Sequence, residues 1–274
     1  MGSPGGQDTL SGLPGPGVSL VPPAQAGARC DALCPASFPA FSQLSHSAAL
    51  APPDFIPFAF EPLSVEEMAR RAADLAQELS RRRSVRAFAD TPVPAAVLDD
   101  CLRAAGCAPS GAHQQPWSFV VVTDPTTKRA IREAAEEEER LNYGGRMNEE
   151  WLSALEPFGT DADKPFLEIA PALVVLFRQA HGYDGDEKVQ HYYTHESVGI
   201  ALGFFLVALH RAGLCALTHT PSPMKFLEEI LERPANERAY MLLPVGYPAE
   251  GCEVPDLERK SLDAIRTWWG PRPD

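Results

Sequence analysis

Residues 198–209 form a run that is apolar or glycine throughout, and it constrains the fold more than any other segment. Glu196 stands just before it, and His210 and Arg211 follow directly. The run is therefore well short of the ~20 apolar residues a membrane-crossing helix needs. A helix without a polar face has to be enclosed, and Gly213 supplies a stop just past residues 197–212. The expectation is a helix running through the core of one domain.

The segments around it supply the layers that would enclose such a helix. Residues 117–122 and 173–177 are apolar and β-branched, the pattern of buried strands, and 214–218 and 240–245 add two more. Ser64 with Glu67 forms a capping box that predicts a helix over 64–79. A second helix starts near Pro94, with Val97, Leu98, Cys101, Leu102 and Ala105 on one face. Asp124-Pro125 caps a third, which carries glutamates 136–139 and ends near Gly144-Gly145. Helices alternate with single strands, which points to an α+β or α/β architecture in one domain.

Before residue 60 the only charged side chains are Asp8, Arg29, Asp31 and Asp54. Proline, glycine, serine and alanine dominate there, so residues 1–60 read as a disordered tail and 61–274 as the domain. Phe55, Phe58 and Phe60 are expected to pack onto the domain where order begins. A net charge of −13 disfavours nucleic acid and anionic membranes as partners. Cys30, Cys34, Cys101, Cys107, Cys215 and Cys252 show no C-x-x-C spacing, and four of them sit in apolar segments. A reducing compartment is the simpler reading. With no signal peptide and no spanning segment evident, the expected location is the cytoplasm.

Two segments suggest chemistry. In Arg82-Arg83-Ser84-Val85-Arg86, alternation along an extended chain lets Arg82, Ser84 and Arg86 face one anion. A solvated basic patch explains the same run. In Pro109-Ser110-Gly111-Ala112-His113, a rigid proline beside a glycine brings backbone N–H groups close to a flat ligand. An ordinary helix-to-strand turn is the alternative. Neither G-x-G-x-x-G after a strand nor a P-loop is present, which disfavours the usual dinucleotide and ATP folds. His191 and His195 lie four apart beside Glu196, a zinc-compatible spacing, but without the H-E-x-x-H order or an evident third ligand. No metal is expected.

The arginine-serine run, the Pro-Ser-Gly-Ala-His loop and Gln115-Pro116-Trp117, at these separations, resemble the nitroreductase superfamily of flavoproteins. Further segments narrow the likeness to its iodotyrosine deiodinase branch. They are glutamates 136–139 with Asn142-Tyr143, the stretch His191-Tyr192-Tyr193, residues 241–248 and residues 254–260. The resemblance spans the chain from about residue 64 onward. It implies an α/β/α-type α+β fold, a central mixed sheet flanked by helices, and an intertwined homodimer with FMN at the subunit interface. By motif position it puts the phosphate and ribityl contacts on Arg82, Arg83, Ser84, Arg86 and Arg259. Pro109, Ser110 and Gly111 would lie against the flavin ring, and Thr218 and Thr220 would face it. Thr220 is the expected catalytic residue, because a hydroxyl at the flavin edge stabilises a one-electron-reduced ring.

For the substrate the resemblance implies a halotyrosine or similar aromatic amino acid. Glu139, Tyr143 and Lys164 would hold its charged end, and the Ala112 N–H would meet its phenolate. Glu139 and Tyr143 are four apart and share a helix face. The implied activity is reductive dehalogenation, with electrons from NAD(P)H directly or through a separate reductase. Two rivals stand beside it: a broad nitro or quinone reductase on the same scaffold, and a non-catalytic flavin-binding protein. Two departures from the branch are His219 between the threonines, where a small hydroxyl residue is expected, and Gly144-Gly145 after Tyr143.

Overall fold

A computed structural model describes residues 55–272. The expected tail thus lies outside the described residues up to position 54, as do Cys30 and Cys34. The first helix, α1 (Val65–Ser80), opens where Ser64 Oγ accepts the Glu67 N–H at 3.2 Å. Only half of the expected capping box forms, because the Glu67 carboxylate turns to Arg70 and Arg71 instead of back to the cap. Two cations on the following turn attract a carboxylate more strongly than one neutral N–H does. Helix α2 (Ala95–Gly106) buries Leu98, Cys101 and Ala105, the face that periodicity marked. Strand β1 (Trp117–Val122) leads to α3 (Pro125–Leu141), whose Asp124 cap accepts the Thr127 N–H at 2.7 Å.

Past α3, residues Asn142–Arg146 make one wide π turn in which Gly145 takes φ +140°, a conformation that L side chains rarely adopt. Short helices α4 (Glu149–Leu155) and α5 (Phe166–Ile169) follow, then β2 (Ala172–Gln179) and a hairpin of β3 (His181–Asp184) and β4 (Glu187–Gln190). The long α6 (Thr194–Arg211) precedes β5 (Cys215–Ala216), α7 (Lys225–Ile230), β6 (Glu237–Gly246) and α8 (Leu262–Ile265).

The sheet has the order β1-β2-β6-β5, with every neighbouring pair antiparallel. Its parallel element is the isolated bridge between Ser84 and Ala216. β2 is central, and its side chains alternate between two cores. Val174 and Leu176 join α2 and α6 through Leu98, Cys101, Val198, Phe205 and Leu209. Leu173, Val175 and Phe177 join α3, α5 and α7 through Ile131, Phe166, Leu167 and Leu227. Truncating any of these enclosed leucines to alanine would cost about 2–5 kcal/mol.

The strand expected over 214–218 is paired as a ladder only at Cys215–Ala216. Leu217 still donates to the Pro244 carbonyl at 3.3 Å, but proline has no N–H to return, so the ladder lapses until His219 bridges to Leu242. Phe55, Phe58 and Phe60 do not pack on the domain: all are exposed, and Phe58 and Phe60 stack on each other at 6.0 Å. Cys107, expected among apolar neighbours, is exposed because it caps the end of α2. No described helix is long and apolar enough to cross a membrane.

Two apolar faces are left uncovered. α1 buries no residue, and Val65, Met68 and Leu75 stand exposed on it. The expectation that α6 is wholly enclosed holds on one side only, since Ile200 and Phe204 are 41% and 44% exposed.

Candidate active site

The chain between α1 and α2 is pinned to the sheet edge. Val85 donates to Ala216 O at 3.3 Å, and Phe88 bridges to Pro248. The pinning delivers the arginine run to two cavities. Arg82 and Arg83 line a cavity of about 220 Å3 beside Cys215 and Cys252, and Arg86 lines a larger one of about 410 Å3. Arg259 reaches the same place from the far end of the chain. Its guanidinium donates to the carbonyls of Ser80 and Arg82 at 2.9 and 2.8 Å, where the exposed carbonyls at a helix C-terminus favour a cation.

None of Arg82, Arg83, Arg86 and Arg259 forms an ion pair among the described residues, although the chain carries thirteen excess acids. Acids are plentiful, so guanidinium groups gathered without one are suited to an external anion.

The larger cavity brings Arg86 together with Glu139, Tyr143, Lys164, Thr218 and Thr220. Glu139 comes from the last turn of α3 and Tyr143 from the π turn. Thr218, His219 and Thr220 come from the broken strand after β5, and His219 is fixed by paired backbone bonds with Leu242 of 2.9 and 3.1 Å. Lys164 Nζ lies 5.7 Å from the Tyr143 ring centre and donates to the Asp161 carbonyl. The Tyr143 hydroxyl meets Thr160 Oγ1 at 3.0 Å.

Burial sets the electrostatics. It pushes the Glu139 carboxyl above its usual range, with Lys164 drawing it part of the way back. It pushes the Lys164 ammonium down, and Glu139 and Asp161 oppose that shift. His219 is held at about 3, first by burial and then by the charges of Lys164 and Arg86. Its ring meets Phe166 edge-on at 5.6 Å, and its Nε2 is buried without a hydrogen-bond partner. The residue that departs from the expected hydroxyl is therefore a neutral imidazole.

Pro109, Ser110, Gly111 and Ala112 do not line this cavity. They form a strained loop ahead of β1 in which Ala112, His113 and Gln115 all take φ near +50°. Such strain persists where surroundings enforce it, and it clusters at functional sites. Gly111 donates to Ser197 Oγ at 3.4 Å, and Gln115 to Ser110 Oγ at 2.8 Å. The Gln114 side chain clamps the loop to the start of α6 through Gln190 O and the Tyr192 N–H. A Cβ on Gly111 would come within 2.9 Å of Tyr192 O, so only glycine fits. The Ala112 N–H carries no hydrogen bond among the described residues.

Sequence reasoning missed one wall of the cavity: Met147, Trp151, Leu155, Thr160 and Asp161. A signal was present, since Asn148 caps α4 with a 2.8 Å bond to the Trp151 N–H, and Trp151 and Leu155 are four apart.

The nitroreductase family model matches residues 79–247. An iodotyrosine deiodinase of Haliscomenobacter hydrossis is 55% identical over 215 residues, covering 78% of this chain and 96% of its own length. Iodotyrosine deiodinase 1 of Homo sapiens is 46% identical over 217 residues, covering 77% of this chain and 74% of the relative. Among solved structures, oxidised iodotyrosine deiodinase bound to FMN and 3-iodo-L-tyrosine aligns with a TM-score of 0.62 and 31% identity. That alignment covers 69% of this chain and 96% of the other.

Proposed function

The chain belongs to the nitroreductase family, within its iodotyrosine deiodinases, and from that premise we propose that it is an FMN-dependent reductive dehalogenase of halogenated tyrosines. One observation carries the substrate assignment. Glu139, Tyr143 and Lys164 meet in a single cavity with two opposite charges buried yet unpaired with one another. A zwitterionic amino acid supplies a partner to each, its ammonium to Glu139 and its carboxylate to Lys164, with the Tyr143 hydroxyl as an added donor. A nitroarene or quinone offers no ammonium for Glu139.

The unpaired arginines support FMN as the cofactor. Arg82, Arg83, Ser84 and Arg259 would hold the phosphate end, Arg86 the ribityl side of the ring, and Thr218 and Thr220 its edge, with Thr220 as the catalytic hydroxyl. Bound FMN would supply the electrons that, with a proton, exchange a carbon–halogen bond for carbon–hydrogen and release halide. The chain's own part is to orient the ring of the amino acid, to exclude water with the lid of α4 and the π turn, and to hold the phenolate at the Ala112 N–H. Reducing equivalents come from NAD(P)H, directly or through a separate reductase.

Ala112 and its loop stand outside the cavity of their own chain, and apolar faces of α1 and α6 are bare. Both features support a homodimer in which the Pro109, Ser110, Gly111 and Ala112 loop of a second copy completes the flavin site. The catalytic domain in this reading spans 61–274.

The deciding experiment is binding to the oxidised, FMN-loaded protein, followed by quenching of flavin fluorescence. 3-Iodotyrosine is expected to bind at least about a hundredfold more tightly than 2-iodophenol, the equivalent of two charge-assisted contacts. Equal affinity for the two, or a protein that is colourless and takes up no FMN, defeats the reading.

A further inference from the structure

One buried carboxylate stands beside the cavity without lining it. Glu136 lies on α3, three residues before Glu139, and is only 8% exposed. Its Oε1 accepts two bonds of 2.7 Å each, one from Arg132 Nε and one from the backbone N–H of Lys164. Arg132 also reaches Glu168 on α5 at 3.2 Å, and Arg129 holds the same carboxylate at 3.0 Å. Lys128 donates to the carbonyls of Glu168 and Ala170 at 2.9 and 2.8 Å. One face of α3 thus fastens the 164–170 segment by a row of charged bonds, and the bond nearest the cavity is Glu136 to Lys164.

We propose that Glu136, steadied by Arg132, is the positioning residue for Lys164, fixing where its ammonium stands relative to Glu139 and so setting recognition of the amino-acid end of the substrate. The inference rests on the function proposed above, in which Lys164 meets the substrate carboxylate. Its physical basis is that Glu136 and Glu139 ride on the same rigid helix. Three residues of α-helix span ~4.5 Å, so tying the Lys164 backbone to Glu136 sets the point from which the lysine side chain reaches toward Glu139. The chain just before Lys164 turns at Gly159 with φ +57°, closes on itself where the Asp163 N–H donates to Asp161 Oδ1 at 3.1 Å, and touches the α3 end through the Tyr143–Thr160 contact.

The position calls for a carboxylate. An anionic oxygen accepts from the guanidinium and the amide together, whereas a glutamine has one acceptor oxygen and must turn its NH2 toward one of the two donors. Burial works to raise the Glu136 carboxyl, but the bonds from Arg132 and Lys164 outweigh it and hold the group below its usual range. It is therefore ionised at neutral pH.

The test uses the full-length, FMN-loaded protein with Glu136→Ala and Glu136→Gln, and Lys164→Gln as reference. The quantity read is the ratio of affinities for 3-iodotyrosine and 2-iodophenol. Glu136→Ala is expected to lower that ratio on the order of tenfold, Glu136→Gln to lower it less, and Lys164→Gln to lower it at least as much as the alanine. Hydrogen exchange at the Lys164 amide should also quicken at least about tenfold in Glu136→Ala, independently of turnover. A ratio within about twofold of the parent in both Glu136 variants, while Lys164→Gln loses discrimination, overturns the inference and leaves the function standing. If Lys164→Gln also keeps the ratio, the function itself fails and the inference with it. Equal weakening of both ligands together with a lower melting temperature marks a purely structural residue and equally overturns it. Glu136→Gln carries the test if the alanine variant does not fold.

Discussion

Lowering the pH should destabilise this protein through one residue, His219. The ring is buried against Phe166, near the like charges of Lys164 and Arg86, and its Nε2 is unpartnered. These surroundings hold its pKa at about 3, against 6.5 for an ordinary imidazole. Above 6.5 both the folded and the unfolded chain carry a neutral ring, and the stability is whole. Below 6.5 the unfolded chain takes up a proton that the folded chain refuses until about 3, so stability falls throughout that window. At pH 5 the linkage amounts to about 2 kcal/mol relative to pH 8. The assay is urea unfolding at pH 8 and pH 5 of the parent and of His219→Leu, which keeps the volume and discards both the titration and the orphaned nitrogen. The parent should lose about 2 kcal/mol more than the variant between the two pH values. Equal losses would mean that the imidazole is protonated in place, and would refute the claim that this site excludes a cation.

Two further predictions concern parts of the chain distant from the lid. Arg233 pairs with Glu237 at 2.7 Å in a buried network where Glu237 also accepts from Ser118 at 2.5 Å. Arg233→Ala strands that carboxylate and should cost about 3–5 kcal/mol in thermal or urea unfolding, much of it recovered by adding Glu237→Gln. Phe204→Glu places a charge on the bare stripe of α6 and is expected to yield a monomer in sedimentation that binds FMN at least about tenfold more weakly, because an unpaired charge in an apolar interface costs several kcal/mol. A Phe204→Glu protein that sediments as a dimer removes α6 from the interface.

What the sequence made legible is what local chemistry decides. β1 falls on Trp117–Val122 as the β-branched run indicates, the Asp124 cap forms, and Leu98, Cys101 and Ala105 face inward at helical spacing. Glu139 and Tyr143 line one cavity because they are four apart across the end of α3 and the π turn, which is a local fact, whereas Lys164 reaches it from a separate segment. What was not legible depends on partners distant in sequence. β5 is cut to Cys215–Ala216 by Pro244 on a strand far along the chain. Glu67 forsakes its cap for two arginines, a competition the motif does not express. The β3–β4 hairpin did leave a trace, Gly185-Asp186 at its two-residue turn, but few β-branched residues flank it. Glu136 was visible only as one of four consecutive glutamates, and nothing local separates the one that grips Lys164 from the two that face solvent or surface arginines.

In the function proposed above, the charges in the larger cavity are the reason an amino acid, and not merely an aromatic ring, suits it. Glu139 and Lys164 are both buried and both displaced toward neutrality, yet each helps keep the other ionised. They form no direct ion pair among the described residues; Lys164 donates to Asp161 O and Tyr143 meets Thr160. Opposite charges held apart in a desolvated space have an unmet need, and the Lys164 ammonium rests on the Asp161 carbonyl while its backbone N–H donates to Glu136. A zwitterion entering the gap gives each charge a counter-charge and changes the net charge of the cavity by nothing. A neutral phenol leaves the need unmet. An amine lacking the carboxylate would satisfy Glu139 while setting a new cation beside Lys164 and Arg86, so it should bind more weakly than its shared ring and ammonium alone suggest. Discrimination here comes as much from the cost of a wrong charge in a dry site as from the attraction of the right one.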